Sequence, residues 1–440
     1  MSEARSAQST YLLIPILLLS ILLGIAVIRG PALVTLEGLG SAVTVAAPLC
    51  LATYALMAVA IAGRGTVDLA VGPLLAFINV IIVTLNGLDL VTSPLGVFVL
   101  ALGIGIAYQV LFALVIIVVR VQPIIVALSG FLALSGINRV IMNRPGGTAP
   151  DWMSSWGRGD TIFSPVLLLL VLATVGWLLF TLSPFYKHLR MMGYDERAAF
   201  TAGVRGNLVR VGAHVISGIF VALAAICYTA LIASGDPTQG TIMSLTAVTA
   251  VVLGGVSLAG GRGNVLGALL GAMNLFLIGY VLATFNFGSV QSFVTQMCYG
   301  LILIVSLLLT LLVPVVGRHI SFITPFSAFM VLGVCVFGIM LTVGISMPEG
   351  ALPVATTGYD LLPATGAPDV ATLTLTPIQK VLLVAVTVLT FGTIMMRVVV
   401  VEATECRFGV FGHALVAGML VLGLAVVALY SLPNSGGLLK

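Results

Sequence analysis

Residues 185–233 read FYKHLRMMGYDERAAFTAGVRGNLVRVGAHVISGIFVALAAICYTALIA. The second part of this stretch, from residue 208 to 233, is almost wholly apolar. A helix rises 1.5 Å per residue, so about 20 apolar residues cross the roughly 30 Å hydrocarbon core of a bilayer. The first part carries Lys187, Arg190, Arg197 and Arg205 with only two acids, Asp195 and Glu196. An apolar run leading out of a basic connection is the mark of a membrane span entered from the cytoplasmic side.

The same alternation recurs along the chain. Apolar stretches lie at 11–29, 41–62, 67–86, 94–119, 124–143, 163–183, 208–233, 242–260, 264–284 and 290–316, and three more at 324–346, 379–399 and 411–432. The fold class is therefore all-α, a polytopic transmembrane helical bundle with about 10 core spans and about 3 C-terminal spans. Composition agrees. Hydrophobic residues make up 60% of the chain, charged residues 7%, and the mean hydropathy is +1.24. Soluble domains carry about 25% charged residues. So few charges cannot cover a water-facing surface, so the apolar residues face lipid as well as one another. A net charge of +4 is too small and dispersed for a nucleic-acid footprint.

Orientation follows from the Lys/Arg bias of the loops. With the N-terminus inside, the inner side collects 12 Lys/Arg, among them Arg5, Arg64, Arg120, Lys187 and Arg262. The outer side then holds 6: Arg29, Arg139, Arg144, Arg158, Lys380 and Lys440. The polar start MSEARSAQST precedes a retained first span, so a multi-pass protein with a cytoplasmic N-terminus is expected. Three segments follow: 1–40, a cytoplasmic tail and first span; 41–316, the core with the connection 185–210; and 317–440, a C-terminal helical extension with an outer loop at 347–378. The loop 144–162 holds Trp152 and Trp156 and is expected on the outer surface.

Catalytic chemistry is sparse. A phosphate-binding loop needs Gly-Lys-Ser/Thr, and none of the three lysines follows glycine. Four histidines and five cysteines are scattered, without HExxH or CxxC spacing, so neither a metal site nor a disulfide framework is expected. In 193–205, Asp195 and Glu196 suit the N-terminus of a short helix, Ala198 and Ala199 favour its body, and Gly203 suits its end. An ordinary basic loop fits these residues; so does a knob for a cytoplasmic motor.

The run GYDERAAFTAGVR resembles the coupling segment of permeases in the branched-chain amino acid and ribose-type ABC importer family, through Gly193, Asp195, Ala198, Ala199 and Gly203. Residues 250–272, AVVLGGVSLAGGRGNVLGALLGA, are similar to that family's glycine signature, here Gly254, Gly255, Gly260, Gly261, Arg262 and Gly263. GRGTVDLAVG at 63–72 resembles the Asp-Leu-x-Val-Gly run of its carbohydrate branch. The resemblance runs in order from about 40 to 315, while about 120 further residues have no counterpart. It implies a permease homodimer or heterodimer passing a sugar or similar polar solute, cytoplasmic ABC ATPase subunits that bind ATP and magnesium, and an extracytoplasmic solute-binding protein. The coupling residues would be Gly193 to Arg205, including Glu196. This chain would bind no cofactor and would not itself be an enzyme.

For the solute path, polar groups inside spans are the candidates: Asp68, Asn79, Ser129, Ser135, Asn138, Thr246, Thr249, Asn274 and Gln296, with Phe77 and Tyr299 as aromatic faces. Polar side chains also join helices. Asp68 reads equally as a cap or ion pair near the inner interface beside Arg64. Alternatives are a branched-chain amino acid-type permease, an ion-coupled secondary transporter, which would need paired acids or Asp/His relays at the bilayer midplane, and an assembly subunit without flux. A weak echo links GRG at 63 with GRG at 261.

Overall fold

The computed structural model describes residues 13–63, 67–159, 163–285, 293–302 and 304. The expectations for 317–440 lie outside the described residues. All ten core stretches carry helix, and among the described residues there is no strand beyond one isolated bridge, Gly146 with Gly235. The elements are α1 (Leu13–Arg29), α2 (Leu36–Ile61), α3 (Val71–Gly87), α4 (Pro94–Leu114), α5 (Pro123–Ile141), α6 (Asp151–Trp156), α7 (Pro165–Phe180), α8 (Pro184–Tyr194), α9 (Glu196–Thr201), α10 (Gly206–Ile232), α11 (Gly240–Leu253), α12 (Val265–Ala283) and α13 (Phe293–Ile302).

Five helices among the described residues are long and apolar enough to cross a membrane: α2, α4 with its extension to Val119, α5, α10 and α12. A sixth span arises if α7 and α8, bent by 75°, count together. Local chemistry sets the starts. Ser93, Ser164 and Ser183 each cap a helix whose first residue is proline, so a missing N–H falls where it costs nothing. α4 leaves its ladder through a π turn, Val115–Val119, and stops at Arg120 in the left-handed region, φ 60°. Pro123 then opens α5.

α2 and α10 form the buried centre, and α10 packs most closely on α2 and α4. Lipid offers no hydrophobic drive between helices, so close approach depends on small residues. Here Gly105 and Gly218 supply it: a Cβ on Gly218 would lie 2.6 Å from the Gly105 carbonyl oxygen. α4, α5 and α7 are peripheral and present bare apolar faces, including Val99, Leu132, Val140 and Leu172.

α3 and α11 depart from simple spans. With 17 and 14 residues, they reach only about 26 Å and 21 Å. Their first turns meet. Gly72 N–H donates to Ser244 Oγ at 3.1 Å, Ser244 Oγ donates to Leu69 O at 2.6 Å, and a Cβ on Gly240 would lie 2.7 Å from Pro73 Cα. From that crossing α3 runs to the end that carries Trp152, and α11 runs to the end that carries Gly260. Each is preceded by the same device. Asp68 Oδ1 accepts from Ala70 N at 2.9 Å, and Asp236 Oδ1 from Thr238 N at 2.8 Å. Each aspartate stands four residues before its crossing glycine. The sequence echo gains a different meaning: Ile61 and Gly63, where one GRG begins, meet Gly261 and Gly260, where the other begins.

The tryptophan end is clasped. Gly146 and Gly235 exchange backbone hydrogen bonds of 3.0 and 2.9 Å, and Ala149 N donates to Ala233 O at 3.0 Å. Asn86 Nδ2 donates to Thr148 O at 3.0 Å, and Trp152 Nε1 to Thr92 O at 2.9 Å. Thus α6 sits on protein, with Met153 buried and Trp156 against Phe98, rather than as a free surface loop.

Candidate functional site

The helical start and stop expected in 193–205 are present. Asp195 Oδ1 accepts from Arg197 N and Ala198 N at 2.8 and 3.1 Å, satisfying two of the free N–H groups of α9. Gly203 follows α9 in the left-handed region at φ +83°. Glu196 pairs with Arg210 on α10 at 3.1 Å, and Ala199 faces the core at 2% exposure. Ala198 lines an open depression of about 380 Å³ with Lys187, Arg190, Met191, Tyr194 and Asp195. Arg205 is exposed at the start of α10. Phe200, missed in the sequence reading, projects outward at 78% exposure. Replacing Asp195 by Ala is expected to fray α9 at a cost of about 1 kcal/mol; hydrogen exchange over 196–203 would rise while α10 stays protected.

Beneath this knob lies a knot of glycines. Gly193 stands so close to Ile61 O and Gly261 N that a Cβ would overlap both. Gly63 meets Gly193 with only 2.8 Å for a Cβ, and Gly260 meets Gly63 and Gly193 backbone to backbone. Gly261 N donates to Ile61 O at 3.0 Å. Side chains close the knot: Arg190 Nε donates to Gly261 O at 3.3 Å, Tyr186 OH to Gly263 O at 3.2 Å, and Arg262 lies over the Tyr194 ring at 5.9 Å. Gly255, Gly260 and Gly261 have φ of +74°, +108° and +73°, conformations that favour glycine. Gly254 packs on Gly267. The knob is therefore in direct contact with the end of α2 and with the α11–α12 turn.

Asp68 is fully buried in the lead-in 67–70 to α3. Gln109 Nε2 donates to Asp68 Oδ2 at 2.5 Å, and Gln109 Oε1 lies 2.7 Å from His214 Nδ1. An ionised carboxylate only accepts, so the Gln109 amide nitrogen faces Asp68, and its oxygen takes the proton on His214 Nδ1. Arg64, the partner weighed from sequence, lies outside the described residues. Gln109 and His214 are 41 and 146 positions from Asp68, and nothing local marks them.

The remaining path candidates are scattered. Asn79 is buried and serves the clasp, donating to Thr229 Oγ1 and Ser234 O and accepting from Asp236 N at 2.8 Å. Asn138 holds Pro73 O and Asn274 holds Pro15 O, both at 2.9 Å, which ties α5 to α3 and α12 to α1. Ser129 and Gln296 are exposed, and Thr249 bonds back to Leu245 O. Thr246 and Tyr299 share a cavity. It measures about 640 Å³ and lies between α2, α10, α11, α12 and α13. Its polar lining is Ser41, Tyr228, Gln239, Thr246, Tyr280 and Tyr299, among apolar residues that include Phe276 and Met243. Polar aromatics inside spans are the signal that would have found Tyr228 and Tyr280.

Three comparisons bear on this arrangement. The family described as branched-chain amino acid transport system / permease component matches residues 38–312. A ribose import permease protein of Escherichia coli (strain K12) is 28% identical over 249 residues, 55% of this chain and 76% of the relative. One from Bacillus subtilis (strain 168) is 29% identical over 252 residues, 56% of this chain and 76% of the relative. A galactofuranose transporter permease protein of Escherichia coli (strain K12) is 31% identical over 216 residues, 48% of this chain and 62% of the relative. No solved structure gives a significant match.

Proposed function

The chain belongs to the family of branched-chain amino acid transport permease components, and from that premise we propose that it is the membrane subunit of an ATP-driven sugar importer. The observation that carries the reading is the knob 184–201 seated on the glycine knot. Cytoplasmic ATPase subunits grip α8 and α9, with ATP and magnesium bound on those partners and none on this chain. The knob end is then the cytoplasmic side, and the clasped end receives an extracytoplasmic solute-binding protein. Two permease copies, identical or paired with a relative, complete the assembly in the inner membrane.

ATP does work only by favouring one arrangement over another. Closure of the ATPases displaces α8 and α9. Gly193 passes that displacement to Ile61 and Gly261 through backbone contact, without compressible side chains between them. From there it reaches the α11–α12 turn and the lead into α3, whose helices meet at Gly72 and Gly240. The sugar reading draws on the relatives named for ribose and galactofuranose import.

Copurification tests the assignment. An ATPase subunit is expected with the wild type and is expected to be lost with Glu196→Lys, which breaks the Arg210 pair, and with Ala199→Arg, which forces a charge into the core. Full binding and stimulation of the ATPase in both variants would overturn the coupling role.

One observation favours a second reading. The Asp68–Gln109–His214 chain is an acid and a histidine joined inside the bundle, a feature expected of ion-coupled carriers. In proteoliposomes, uptake driven by ATP and unaffected by ionophores supports the importer; uptake that needs an ion gradient and no ATP supports the carrier.

A further inference from the structure

We propose that Gln109 and His214 are positioning residues of the transport cycle: with Arg210 and Asp68 they form a second, polar line from the knob to the crossing of α3 and α11, separate from the glycine knot. The inference rests on the permease reading above and adds two residues to its coupling.

The line starts on the knob. Glu196, the first residue of α9, pairs with Arg210 at 3.1 Å, and the Arg210 side chain is only 12% exposed. His214 stands four residues further on, one turn along the same face of α10. It is buried, with its ring 4.9 Å from that of Phe112 on α4. From His214 Nδ1 the line crosses to Gln109 and on to Asp68. Asp68 Oδ1 takes the Ala70 N–H, and the carbonyl of the intervening Leu69 takes Ser244 Oγ of α11. The far end is therefore the place where Gly72 N–H meets the same serine.

The two lines grip one connection from opposite ends. The glycine knot bears on Ile61 and Gly63, where α2 stops. The polar line holds Asp68, just before α3 starts. A displacement delivered at Ile61 alone is open to dissipation by rotation of the connecting backbone. Held at Asp68 as well, the start of α3 follows α10 and α4.

Stability does not account for these side chains. Burying three polar groups costs desolvation that their hydrogen bonds do little more than offset, and apolar residues of similar shape often serve as well. What the polar chain adds is direction. An ionised Asp68 only accepts, so Gln109 must turn its amide nitrogen to the carboxylate and its oxygen to His214. The amide is not free to turn over and absorb a shift, so a shift of His214 is passed to Asp68.

The test uses the full chain assembled with its ATPase and solute-binding partners in proteoliposomes, with ATP hydrolysis measured over a titration of the binding protein. His214→Phe keeps a ring against Phe112 and removes the bond. It is expected to cut maximal stimulation about tenfold while the half-saturating concentration of binding protein stays at the wild-type value. His214→Asn, whose amide nitrogen sits where Nδ1 does, is expected to retain most of the stimulation. Gln109→Leu cuts the same line from α4 and is expected to match His214→Phe, so a folding defect in one variant does not decide the matter. Glu196→Gln opens the other end, and combining it with His214→Phe is expected to cost no more than the worse of the two. Tyr54→Phe is the control. It removes the 3.0 Å hydrogen bond to Thr174 elsewhere in the bundle and is expected to leave stimulation intact. Full stimulation in His214→Phe and Gln109→Leu, equal loss in the Phe and Asn variants, equal loss in Tyr54→Phe, or additive loss with Glu196→Gln overturns the proposal and leaves the permease reading standing. Absence of stimulation in the wild-type complex sinks the permease reading itself.

Discussion

Gly193→Val is expected to abolish coupled uptake and to destabilise the protein by more than about 3 kcal/mol. The reason is the kind of atom in the way. A Cβ at 193 would meet Ile61 O, Gly261 N and Gly261 Cα, all backbone. Flexible side chains can turn aside, but crossed backbones can only separate, and overpacking in a tight core typically costs about 1–3 kcal/mol. Separation here also breaks the Gly261 N to Ile61 O hydrogen bond and lifts α8 from the α11–α12 turn. Thermal unfolding of the detergent-solubilised protein measures the first effect, and ATPase stimulation by the binding protein the second. Gly203→Ala is the control. Nothing lies within 4 Å of a Cβ there, so only the strained φ of +83° is penalised, at about 1 kcal/mol, and uptake is expected to persist. If both variants behave alike, contact at the knot is not what transmits motion.

Asp68→Ala is the second large effect. It strands the Gln109 amide and the Ala70 N–H inside the bundle. Each orphaned buried donor costs about 1–3 kcal/mol, so a loss of roughly 2–6 kcal/mol is expected. Asp68→Asn is expected to be much milder. An asparagine can still accept from Ala70 N, and its own amide then donates toward position 109. Gln109 turns over to accept, and His214 changes tautomer so that Nδ1 accepts from Gln109. The chain keeps its hydrogen bonds with their sense reversed. Nitrogen NMR of labelled histidine would register the exchange of the protonated ring nitrogen in the Asn variant. Equal destabilisation by Ala and Asn would show that the negative charge, not the bonding, is what the site requires.

What the sequence made legible follows a physical line. Local devices were readable: the Asp195 cap, the Gly203 stop, the apolar lengths and the absence of a phosphate loop all depend on neighbours a few positions apart. The knot at 63, 193 and 260–263 was not. Its glycines could be read as turns, but nothing in their spacing says that three turns from distant parts of the chain press on each other. Asp68 was weighed as interfacial because a regular span from 67 would have started there. The helix begins instead at Val71, and the lead-in carries Asp68 to Gln109 and His214. The stretch 242–260 read as one span because its glycine-rich end is as apolar as its helix. The backbone turns at Gly254 and Gly255 all the same. For the path, polar residues were chosen one at a time, and four of them, Asp68, Asn79, Asn138 and Asn274, bond across to other elements; the cavity is a property of five elements together.

The clasp at the tryptophan end has a mechanical corollary. Thr148 is held by Asn86, Thr92 by Trp152, Gly146 by Gly235, and Asp236 by Asn79, so three connections are tied to one another and to α3. Gln239, three residues beyond Asp236, belongs to the cavity rim. A partner that docks on these joined connections is therefore expected to bear on Gln239 as well, through the short run of chain that leads to it from Asp236.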